Sequence, residues 1–228
     1  MKIPISETHL IDCIDYIKQF PDKYFELAVV DPPYGIGETG VSNGFVCKSL
    51  KDKDGKRFET VSENRNSLGI KPDNTYFNEL ERVSVNYIIW GAQYFSANLP
   101  SNIGSCCIVW DKKNAEGLRF SDHEIAFSSF NTRSPIFRLN NSKGGRIHPT
   151  QKPVDLYKWI LANYAKQGDK ILDTHLGSQS SRIAAYEMGF DFYGCELDPD
   201  YFEAGNKRFE AWRKMNGQQL FDFNDFVI

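Results

Sequence analysis

Short apolar runs recur along the chain, and segments with the spacing of an α-helix lie between several of them. The runs are apolar throughout and do not alternate with polar residues, which indicates strands buried on both faces, as in a parallel sheet. The first run ends abruptly at Pro32 and Pro33, which cannot continue a hydrogen-bonded strand. On this pattern, the predicted strands cover residues 27–30, 86–90, 106–110, 124–130, 170–173 and 191–197.

Helices are predicted in the intervening segments by apolar periodicity and by the residues at their ends. Pro153 suits the first turn of one helix, Gly168 lies beyond its end, and Asp198 is a natural N-cap for the last helix. Strands that alternate with helices predict an α/β fold with a doubly wound, mostly parallel sheet. The predicted helices cover residues 12–19, 74–83, 92–99, 153–165, 180–188 and 199–215.

The length of 228 residues is enough for one domain with a full hydrophobic core and leaves little for a second. We therefore expect one domain over residues 1–215, followed by a C-terminal tail over residues 216–228. Residues 35–71 have no periodicity and contain many Gly, Ser, Asn and Lys residues, which predicts a flexible loop within that domain.

Composition narrows the class of protein. No apolar run approaches the roughly 20 residues that span a bilayer, and the chain start lacks the apolar core of a signal peptide. We therefore expect a cytoplasmic protein. The five cysteines are odd in number and form no CxxC pair, which predicts reduced and mostly buried thiols. The four histidines have no metal-ligand spacing, so we expect no metal site.

Basic residues cluster in one part of an otherwise acidic chain. The net charge is −3, yet no Asp or Glu occurs between Ile125 and Val154. Because the distribution of charge matters more than its sum, this stretch predicts a local positive surface. Its basic residues are Arg133, Arg138, Lys143, Arg146 and Lys152.

A strand, a turn of small residues and a helix follow one another from residue 170 to residue 188. Within the turn, Gly177 allows a positive φ angle and a close ligand, and Glu196 stands nineteen residues later at the end of the next strand. A carboxylate there can hold the two hydroxyls of a ribose. Only one glycine of the dinucleotide fingerprint is present, which favours a cofactor with ribose and adenine but no phosphate, such as S-adenosylmethionine. The alternative is an ordinary βαβ turn.

The sequence Asp31-Pro32-Pro33-Tyr34 comes directly after the first buried strand. Ligands of a doubly wound sheet bind outside the carboxyl ends of its strands. An ionised Asp31 can accept a hydrogen bond from an amino group, and the ring of Tyr34 can stack on a flat base. Together these residues suit a planar ring with an exocyclic amino group. The alternative is a strand-ending turn with a buried tyrosine.

With these segments in place, the chain resembles the amino-methyltransferases of DNA, in particular the permuted β group, in which D-P-P-Y precedes the cofactor loop. Besides D-P-P-Y, five segments match in order: residues 11–13, residues 88–92, residues 109–111, His148-Pro149-Thr150-Gln151-Lys152-Pro153, and residues 172–198. The resemblance implies a Rossmann-like methyltransferase fold in one catalytic domain, with S-adenosyl-L-methionine as cofactor. It also implies methylation of the exocyclic amino nitrogen of adenine after the base is flipped out of double-stranded DNA.

The resemblance carries residue roles with it. The catalytic residues would be Asp31, Pro32, Pro33 and Tyr34, with the amino group donating to Asp31 and to the carbonyl of Pro32. The residues that bind the cofactor would be Asp12 (adenine), His148, Thr150, Lys152, Asp173, Gly177, Ser178, Glu196 (ribose) and Leu197. A short recognition segment at about residues 131–147 would meet DNA phosphates through Arg133, Arg138, Lys143 and Arg146.

Two features of the sequence depart from or extend the family pattern. The family loop D-P-F-x-G-S-G-T is replaced here by a sequence in which Thr174, His175 and Gln179 stand for the Pro, the aromatic residue and the second Gly. The tail contains Gln219, Leu220 and Phe221, which resemble short peptides that dock on bacterial sliding clamps.

Three alternatives for the function stay open at this point. The first is methylation of the amino group of cytosine by the same fold, although those enzymes more often carry Ser at the place of Asp31. The second is a catalytically silent DNA-binding domain, which only the altered loop favours. The third, a nicotinamide oxidoreductase, is disfavoured by the missing glycines.

Overall fold

The computed structural model describes residues 3–35, 71–113, 121–140, 146–148 and 150–216. These residues form an eight-stranded sheet with the order β1-β8-β7-β2-β3-β5-β4-β6. Neighbouring strands are parallel, except that β5 is antiparallel to both β3 and β4. The strands are β1 Ser6–Leu10, β2 Phe25–Val30, β3 Ser84–Trp90, β4 Cys107–Asp111, β5 His123–Ser128, β6 Ile136–Arg138, β7 Lys170–Asp173 and β8 Asp191–Glu196.

Helices connect the strands, and aspartates cap three of them. Asp12, Asp73 and Asp198 each accept hydrogen bonds from backbone N–H groups in the first turn of the helix that follows. In the described part of the chain, no helix is long and apolar enough to cross a membrane. The helices are α1 Cys13–Ile17, α2 Asn74–Val83, α3 Val154–Tyr164, α4 Ser180–Glu187 and α5 Pro199–Asn216, with a short 3-10 helix at Ala92–Phe95.

Two hydrophobic cores cover the two faces of the sheet, and strand β2 contributes to both. Leu27 and Val29 belong to the core that includes residues of α3 and α4. Ala28 and Val30 belong to the core that includes residues of α1 and α2. Because successive side chains of a strand point to opposite faces, a run that is apolar at every position requires cover on both. This confirms the predicted doubly wound α/β fold.

The predicted elements are confirmed at most positions, and the differences have local causes. All six predicted strands are present, with ends shifted by up to two residues. Strands β1 and β6 were not predicted, because β1 is a largely polar edge strand and β6 has only three residues. The helix predicted over residues 92–99 was wrong in extent, since only Ala92–Phe95 forms a 3-10 helix.

The described cysteines agree with the prediction of reduced thiols. Cys106 and Cys195 are buried, Cys13 and Cys107 are half-buried, and all four are free. Several predictions lie outside the described residues. They concern nearly all of the loop at residues 35–71, Cys47, Lys143, Pro149, and Gln219, Leu220 and Phe221 in the tail.

Strands β2 and β7 are neighbours, and the chain leaves them in opposite directions. It passes from β2 to β3 on one side and from β7 to β8 on the other. Such a reversal of strand order opens a crevice at the carboxyl ends of the two strands, which is where doubly wound folds bind ligands. Asp31 follows β2 and Asp173 ends β7, so both carboxyl groups lie at this crevice.

Candidate active site at the carboxyl edge of the sheet

The carboxyl group of Asp31 is held by the aromatic residue of its own motif. The Tyr34 hydroxyl donates to Oδ1 of Asp31 at 2.6 Å. Burial, followed by the negative charge of Asp31, raises the pKa of Tyr34 well above its usual value, so the phenol remains a donor. The Tyr34 ring stacks on Tyr94, with 4.9 Å between the ring centroids and 18° between the planes.

The second oxygen of Asp31 accepts a hydrogen bond from Lys152, and this contact starts a chain of four charges. The Lys152 ammonium contacts Oδ2 of Asp31 and lies 2.9 Å from Oε2 of Glu124. Oε1 of Glu124 lies 2.7 Å from the ammonium of Lys112. Lys152 was predicted on the methionine side of the cofactor, but its side chain is 1% exposed and its ammonium contacts these two carboxylates.

The charges of this chain reinforce one another despite their burial. Burial opposes the charge of Lys152, but Asp31 and Glu124 outweigh it and raise the Lys152 pKa. Burial also opposes the charge of Glu124, but Lys152 and Lys112 outweigh it and lower the Glu124 pKa. Lys152 and Glu124 are therefore both ionised at neutral pH.

The turn after β7 is shaped by its own aspartate. Oδ1 of Asp173 accepts from the N–H of His175 at 3.0 Å, and Oδ2 accepts from the hydroxyl of Ser181 at 2.5 Å. Burial raises the pKa of Asp173 to about 7. Gly177 has a φ of 45°, so the turn uses the left-handed conformation that its glycine was predicted to allow.

Gln179 replaces the second glycine of the family loop, yet its backbone takes the left-handed conformation, with a φ of 58°. Its side chain makes hydrogen bonds to α4 and α5. The amide Nε2 donates to Oδ1 of Asn206 at 3.1 Å, and Oε1 accepts from Arg182 at 2.8 Å. The glutamine therefore anchors the loop to both helices.

Arg208 of α5 also makes hydrogen bonds to this loop. Its guanidinium donates to the carbonyl of Ser178 at 2.5 Å and to the hydroxyl of Ser180 at 3.0 Å. Burial lowers the pKa of Arg208, but the group remains charged. The guanidinium of Arg208 thus holds the loop at Ser178 and Ser180, where α4 begins.

Glu196 closes the loop from the end of β8. Its Oε2 accepts from the N–H of Gly177 at 2.8 Å, and its Oε1 accepts from the N–H groups of Leu197 and Asp198 at 3.0 Å each. The side chain of the next residue is unusual, because Leu197 is 58% exposed although Cys195 and Asp198 are buried. Glu196 and Leu197 therefore present an acceptor group beside an apolar surface.

Asp12 and His175 lie on the side of the loop nearest α1. Oδ1 of Asp12 accepts from the N–H of Ile14 at 2.8 Å, so the predicted adenine ligand also caps α1. Burial lowers the pKa of His175 to about 4, although Asp12 opposes this effect. The neutral His175 ring lies edge-on to Tyr76 at 5.4 Å, and Nδ1 lies 2.9 Å from the hydroxyl of Thr174.

The segment before α3 covers the cofactor loop through His148. The ring of His148 lies 4.3 Å from that of Tyr201, centroid to centroid, and a β-carbon on Gly177 would meet it at 3.5 Å. Burial, with the charge of Lys152, lowers the pKa of His148 to about 4. Nδ1 of His148 lies 3.1 Å from the hydroxyl of Thr150, which is exposed. His148, Thr150 and Gly177 are thus brought together, as predicted.

Two of the predicted DNA-binding arginines, Arg133 and Arg138, lie at opposite ends of β6. Arg138 ends β6 beside Asp111 of β4, at the carboxyl edge, and its Nε lies 3.4 Å from Oδ2 of Asp111. Arg133 precedes β6, and its carbonyl accepts from the thiol of Cys106 before β4, so it lies at the opposite edge. Arg133 and Arg138 therefore lie on either side of the short strand β6 along the chain. Arg146 is exposed.

A cavity of about 360 Å³ adjoins Arg138 at the carboxyl edge. Its polar lining comes from Asp111, Asp122, His123 and Arg138, and Val109 and Ile136 complete it. His123 is followed by Glu124, so the cavity is one residue away from the chain of charges that leads to Asp31.

Several residues of the site escaped the sequence reasoning: Gly91, Tyr94, Lys112, Glu124 and Arg208. Glu124 starts a strand that runs against its neighbours, which brings it to the carboxyl edge, and no local pattern reveals that direction. Gly91 follows directly after a strand, like Asp31, and its position could have been recognised as part of the edge.

The carboxyl group of Asp31 and the turn after β7 thus lie at the same switch point of a doubly wound sheet. A family model described as DNA methylase, which covers N6 and N4 amino-methyltransferases, matches residues 109–207. The match includes Glu124, Lys152 and the cofactor loop. Asp31 lies outside it.

Relatives match over most of the chain. Type II methyltransferase M2.DpnII of Streptococcus pneumoniae is 24% identical over 240 residues, which cover 90% of each chain. Type II methyltransferase M1.MboII of Moraxella bovis is 22% identical over 255 residues, which cover 90% of this chain and 96% of the relative.

Solved structures share the fold. TTHA0409 from Thermus thermophilus has a TM-score of 0.61 and 16% identity, and the match covers 93% of this chain and 97% of that one. A complex of M1.HpyAVI with SAM has a TM-score of 0.56 and 16% identity over 89% and 98% of the two chains. PvuII DNA methyltransferase, which is cytosine-N4-specific, has a TM-score of 0.59 and 14% identity over 95% and 94%.

These matches agree with the geometry of the site. The chain is similar to DNA methyltransferases, through the family model over residues 109–207 and through the two relatives over most of its length.

Proposed function

We propose that the protein transfers a methyl group from S-adenosyl-L-methionine to the exocyclic amino nitrogen of adenine in double-stranded DNA. The observation that carries this proposal is the carboxyl group of Asp31, which stands at the switch point and is oriented by Tyr34 at 2.6 Å. A carboxylate in this place accepts a hydrogen bond from an amino group and stabilises the positive charge that develops on the attacking nitrogen.

The choice of adenine over cytosine rests on the identity of residue 31. The fold does not discriminate, because a cytosine-N4-specific enzyme is among the structures that share it. Cytosine amino-methyltransferases of this group more often carry Ser at this position, and this chain carries Asp31. Methylation of cytosine is the second candidate, and it makes the same demands on the rest of the site.

The proposed reaction requires the base to leave the DNA stack, because the amino group is paired inside the duplex. The flipped adenine would stack on Tyr34, and its amino group would donate to Asp31 and to the carbonyl of Pro32. These contacts aim the nitrogen lone pair at the donor, and most of the rate enhancement would come from this positioning. Pro32 and Pro33 make the turn rigid and offer carbonyl groups without competing N–H donors.

The residues of the loop fit the proposed cofactor. Bound S-adenosyl-L-methionine would supply a methyl group on a positively charged sulfur. Leu197 offers an exposed apolar side chain to the adenine ring, and the adjacent carboxyl group of Glu196 suits the ribose hydroxyls. Asp12 would contact the adenine. The methionine part would lie near Asp173, Gly177, Ser178, His148 and Thr150. Lys152 would lie beside it, with its ammonium held by Asp31 and Glu124 and not by the cofactor.

DNA binding would use the basic residues of the segment at about residues 131–147, with Arg133 at one end of β6 and Arg138 at the other. The phosphates of the DNA would be contacted by the basic residues of this recognition segment, which belongs to a single catalytic domain: Arg138, Lys143 and Arg146.

We also propose that the tail docks on a sliding clamp through Gln219, Leu220 and Phe221. Deletion of residues 216–228 should then abolish capture by the clamp, and unchanged capture would refute this part.

Incubation of the protein with tritiated S-adenosyl-L-methionine and unmethylated genomic DNA, followed by nucleoside analysis, tests the proposal. Label in N6-methyladenine supports it. Label in N4-methylcytosine keeps the fold and overturns the base. If no label enters DNA, the proposed reaction is wrong.

The role of Asp31 has its own test. The Asp31→Ala variant should retain cofactor affinity in calorimetry and lose turnover to below a few per cent. Asp22→Ala is the matched control, because Asp22 is 78% exposed and pairs with Arg82 away from the carboxyl edge. Turnover of Asp31→Ala above that level would show that the reaction does not need the hydrogen bond from the amino group to Asp31.

A further inference from the structure

We infer that Glu124 is a positioning residue that takes over the Lys152 ammonium when Asp31 accepts the amino group of the target base. The inference rests on the proposed role of Asp31 and adds a residue that this role does not include. It holds for an amino group of either adenine or cytosine.

Both oxygens of Asp31 have partners before any base arrives. Oδ1 accepts from the hydroxyl of Tyr34, and Oδ2 accepts from the ammonium of Lys152. A base that donates its amino group to this carboxylate must therefore replace or share one of these contacts. Tyr34 approaches from the same turn, only three residues along the chain, whereas Lys152 approaches from a different segment. Lys152 is the partner that can be moved.

A second carboxylate is already in place for the displaced ammonium. The Lys152 Nζ lies 2.9 Å from Oε2 of Glu124, so a short shift transfers it fully from one acid to the other. Without Glu124, the same displacement would leave a cation with 1% side-chain exposure unpaired, which is strongly unfavourable. Glu124 therefore makes the release of Asp31 possible.

Glu124 is itself fixed from the other side. Its Oε1 lies 2.7 Å from the ammonium of Lys112. Each lysine of the chain of charges also lies over an indole ring: Lys152 is 5.2 Å from the centroid of Trp90, and Lys112 is 5.3 Å from that of Trp110. Because Lys112 holds Glu124 in place, the group that moves between the two carboxylates is the Lys152 ammonium.

The test is the Glu124→Gln variant, measured for turnover and for binding of cofactor and DNA. We expect kcat at saturating substrates to fall by at least about 30-fold, with cofactor and DNA affinities within about twofold of the wild-type values. Glu187→Gln is the matched control. Glu187 is a buried partner of Lys158 in the packing of α3 and α4, and its variant should keep kcat within about twofold.

A double variant separates positioning from simple structural support. In Glu124→Gln the ammonium of Lys152 stays on Asp31, so removal of that ammonium should relieve the block. Glu124→Gln with Lys152→Met is therefore expected to turn over at least about fivefold faster than Glu124→Gln alone. A structural role for Glu124 predicts the reverse, since a second buried change would damage the site further.

Each outcome decides the inference. A Glu124→Gln enzyme with wild-type kcat, or a double variant no faster than the single one, overturns it. If Glu124→Gln does not fold, Glu124→Asp keeps the charge and draws it away from Lys152, and an unchanged kcat in that variant overturns it equally. If the wild-type enzyme transfers no methyl group to DNA, the proposed function has failed instead.

Discussion

Gly91 and Tyr34 lie so close together that a β-carbon at position 91 would come within 2.0 Å of Cε1 of the Tyr34 ring. Gly91 also has a φ of 65°, so its backbone adopts the left-handed conformation. The turn after β3 therefore leaves space for the aromatic ring that is proposed to receive the base.

Gly91→Ala should displace the Tyr34 ring and reduce turnover by about 10-fold or more, because a misplaced ring misaligns the base. Cofactor affinity should change little, because the proposed cofactor loop follows β7, whereas Gly91 follows β3. Steady-state kinetics and calorimetry measure the two effects. Gly168→Ala is the control: Gly168 has a φ of 95° and nothing within 4 Å of its added β-carbon. Equal loss of turnover in both variants would point to backbone strain alone.

Gln179 and Gly205 form a matched pair between the loop and α5. A β-carbon at position 205 would come within 2.7 Å of Cγ of Gln179. Alanine usually stabilises a helix by up to about 1 kcal/mol relative to glycine, but here Gly205→Ala should cost about 1–3 kcal/mol of unfolding free energy. Chemical denaturation of Gly205→Ala, Gln179→Gly and the double variant tests this. The double variant should be more stable than Gly205→Ala, and additive losses would contradict the contact.

Leu197 should affect cofactor binding more than stability. Because the side chain is 58% exposed, Leu197→Ala should change the unfolding free energy by less than about 0.5 kcal/mol. Loss of apolar contact with the adenine should weaken cofactor affinity by about 3–10-fold. Val85→Ala, half exposed at the start of β3, is the control and should leave affinity unchanged. Calorimetry measures the cofactor affinity of both variants. Wild-type affinity in Leu197→Ala would show that this residue is not part of the cofactor site.

His175 should make the protein sensitive to acid. Its pKa is about 4 in the folded state because of burial, whereas an unfolded histidine has a pKa of about 6.5. Between these values the unfolded chain binds the extra proton, so the free energy of unfolding falls as pH decreases from about 6.5 to about 4.

His175→Phe should reduce the slope of unfolding free energy with pH by up to about 1.4 kcal/mol per pH unit in this window. Asp173, with a raised pKa of about 7, changes stability in the opposite sense, since its contribution is lost as pH rises through that value. Comparison of the variant with the wild type at each pH removes the Asp173 contribution. Urea unfolding from pH 4.5 to pH 7 is the measurement, and identical slopes would refute the prediction.

Arg138 and Arg133 should differ in DNA binding, because Arg138 lies at the carboxyl end of β6 and Arg133 lies before its amino end. Loss of one phosphate contact in Arg138→Gln should make the dependence of log affinity on log salt shallower by about 0.9. Arg133→Gln is the matched control and should leave the slope unchanged. Fluorescence anisotropy at several salt concentrations measures both. A change for Arg133 and none for Arg138 would place the DNA on the other edge.

The sequence reveals the parts of this site that are local. Asp31 follows an apolar strand directly, and Gly177 stands in a turn between a strand and a helix, so both could be placed from nearby residues. Lys152 could be assigned to the site but not to its partners. Its contact with Glu124 joins positions 28 residues apart, and it depends on the reversed direction of β5, which no local pattern shows.

The same distinction explains the loop and the edge strands. The family pattern indicates a glycine at position 179, and the sequence does not show that Gly205 and Asn206 accommodate a glutamine instead. Strand β1 has a polar, half-exposed pattern that periodicity does not separate from a loop, and pairing with β8 makes it a strand.

The position of β2 has a consequence for hydrogen exchange. It has a strand on either side and a hydrophobic core on each face. Its amide protons should therefore exchange with solvent only when the whole domain unfolds. Those of β6, at the edge of the sheet, should exchange through local opening. Asp31 is thus attached to the slowest-exchanging part of the protein and Arg138 to one of the fastest. If DNA binds near Arg138 as proposed, this part of the surface can adjust its shape to a bound duplex while the carboxyl group of Asp31 stays fixed.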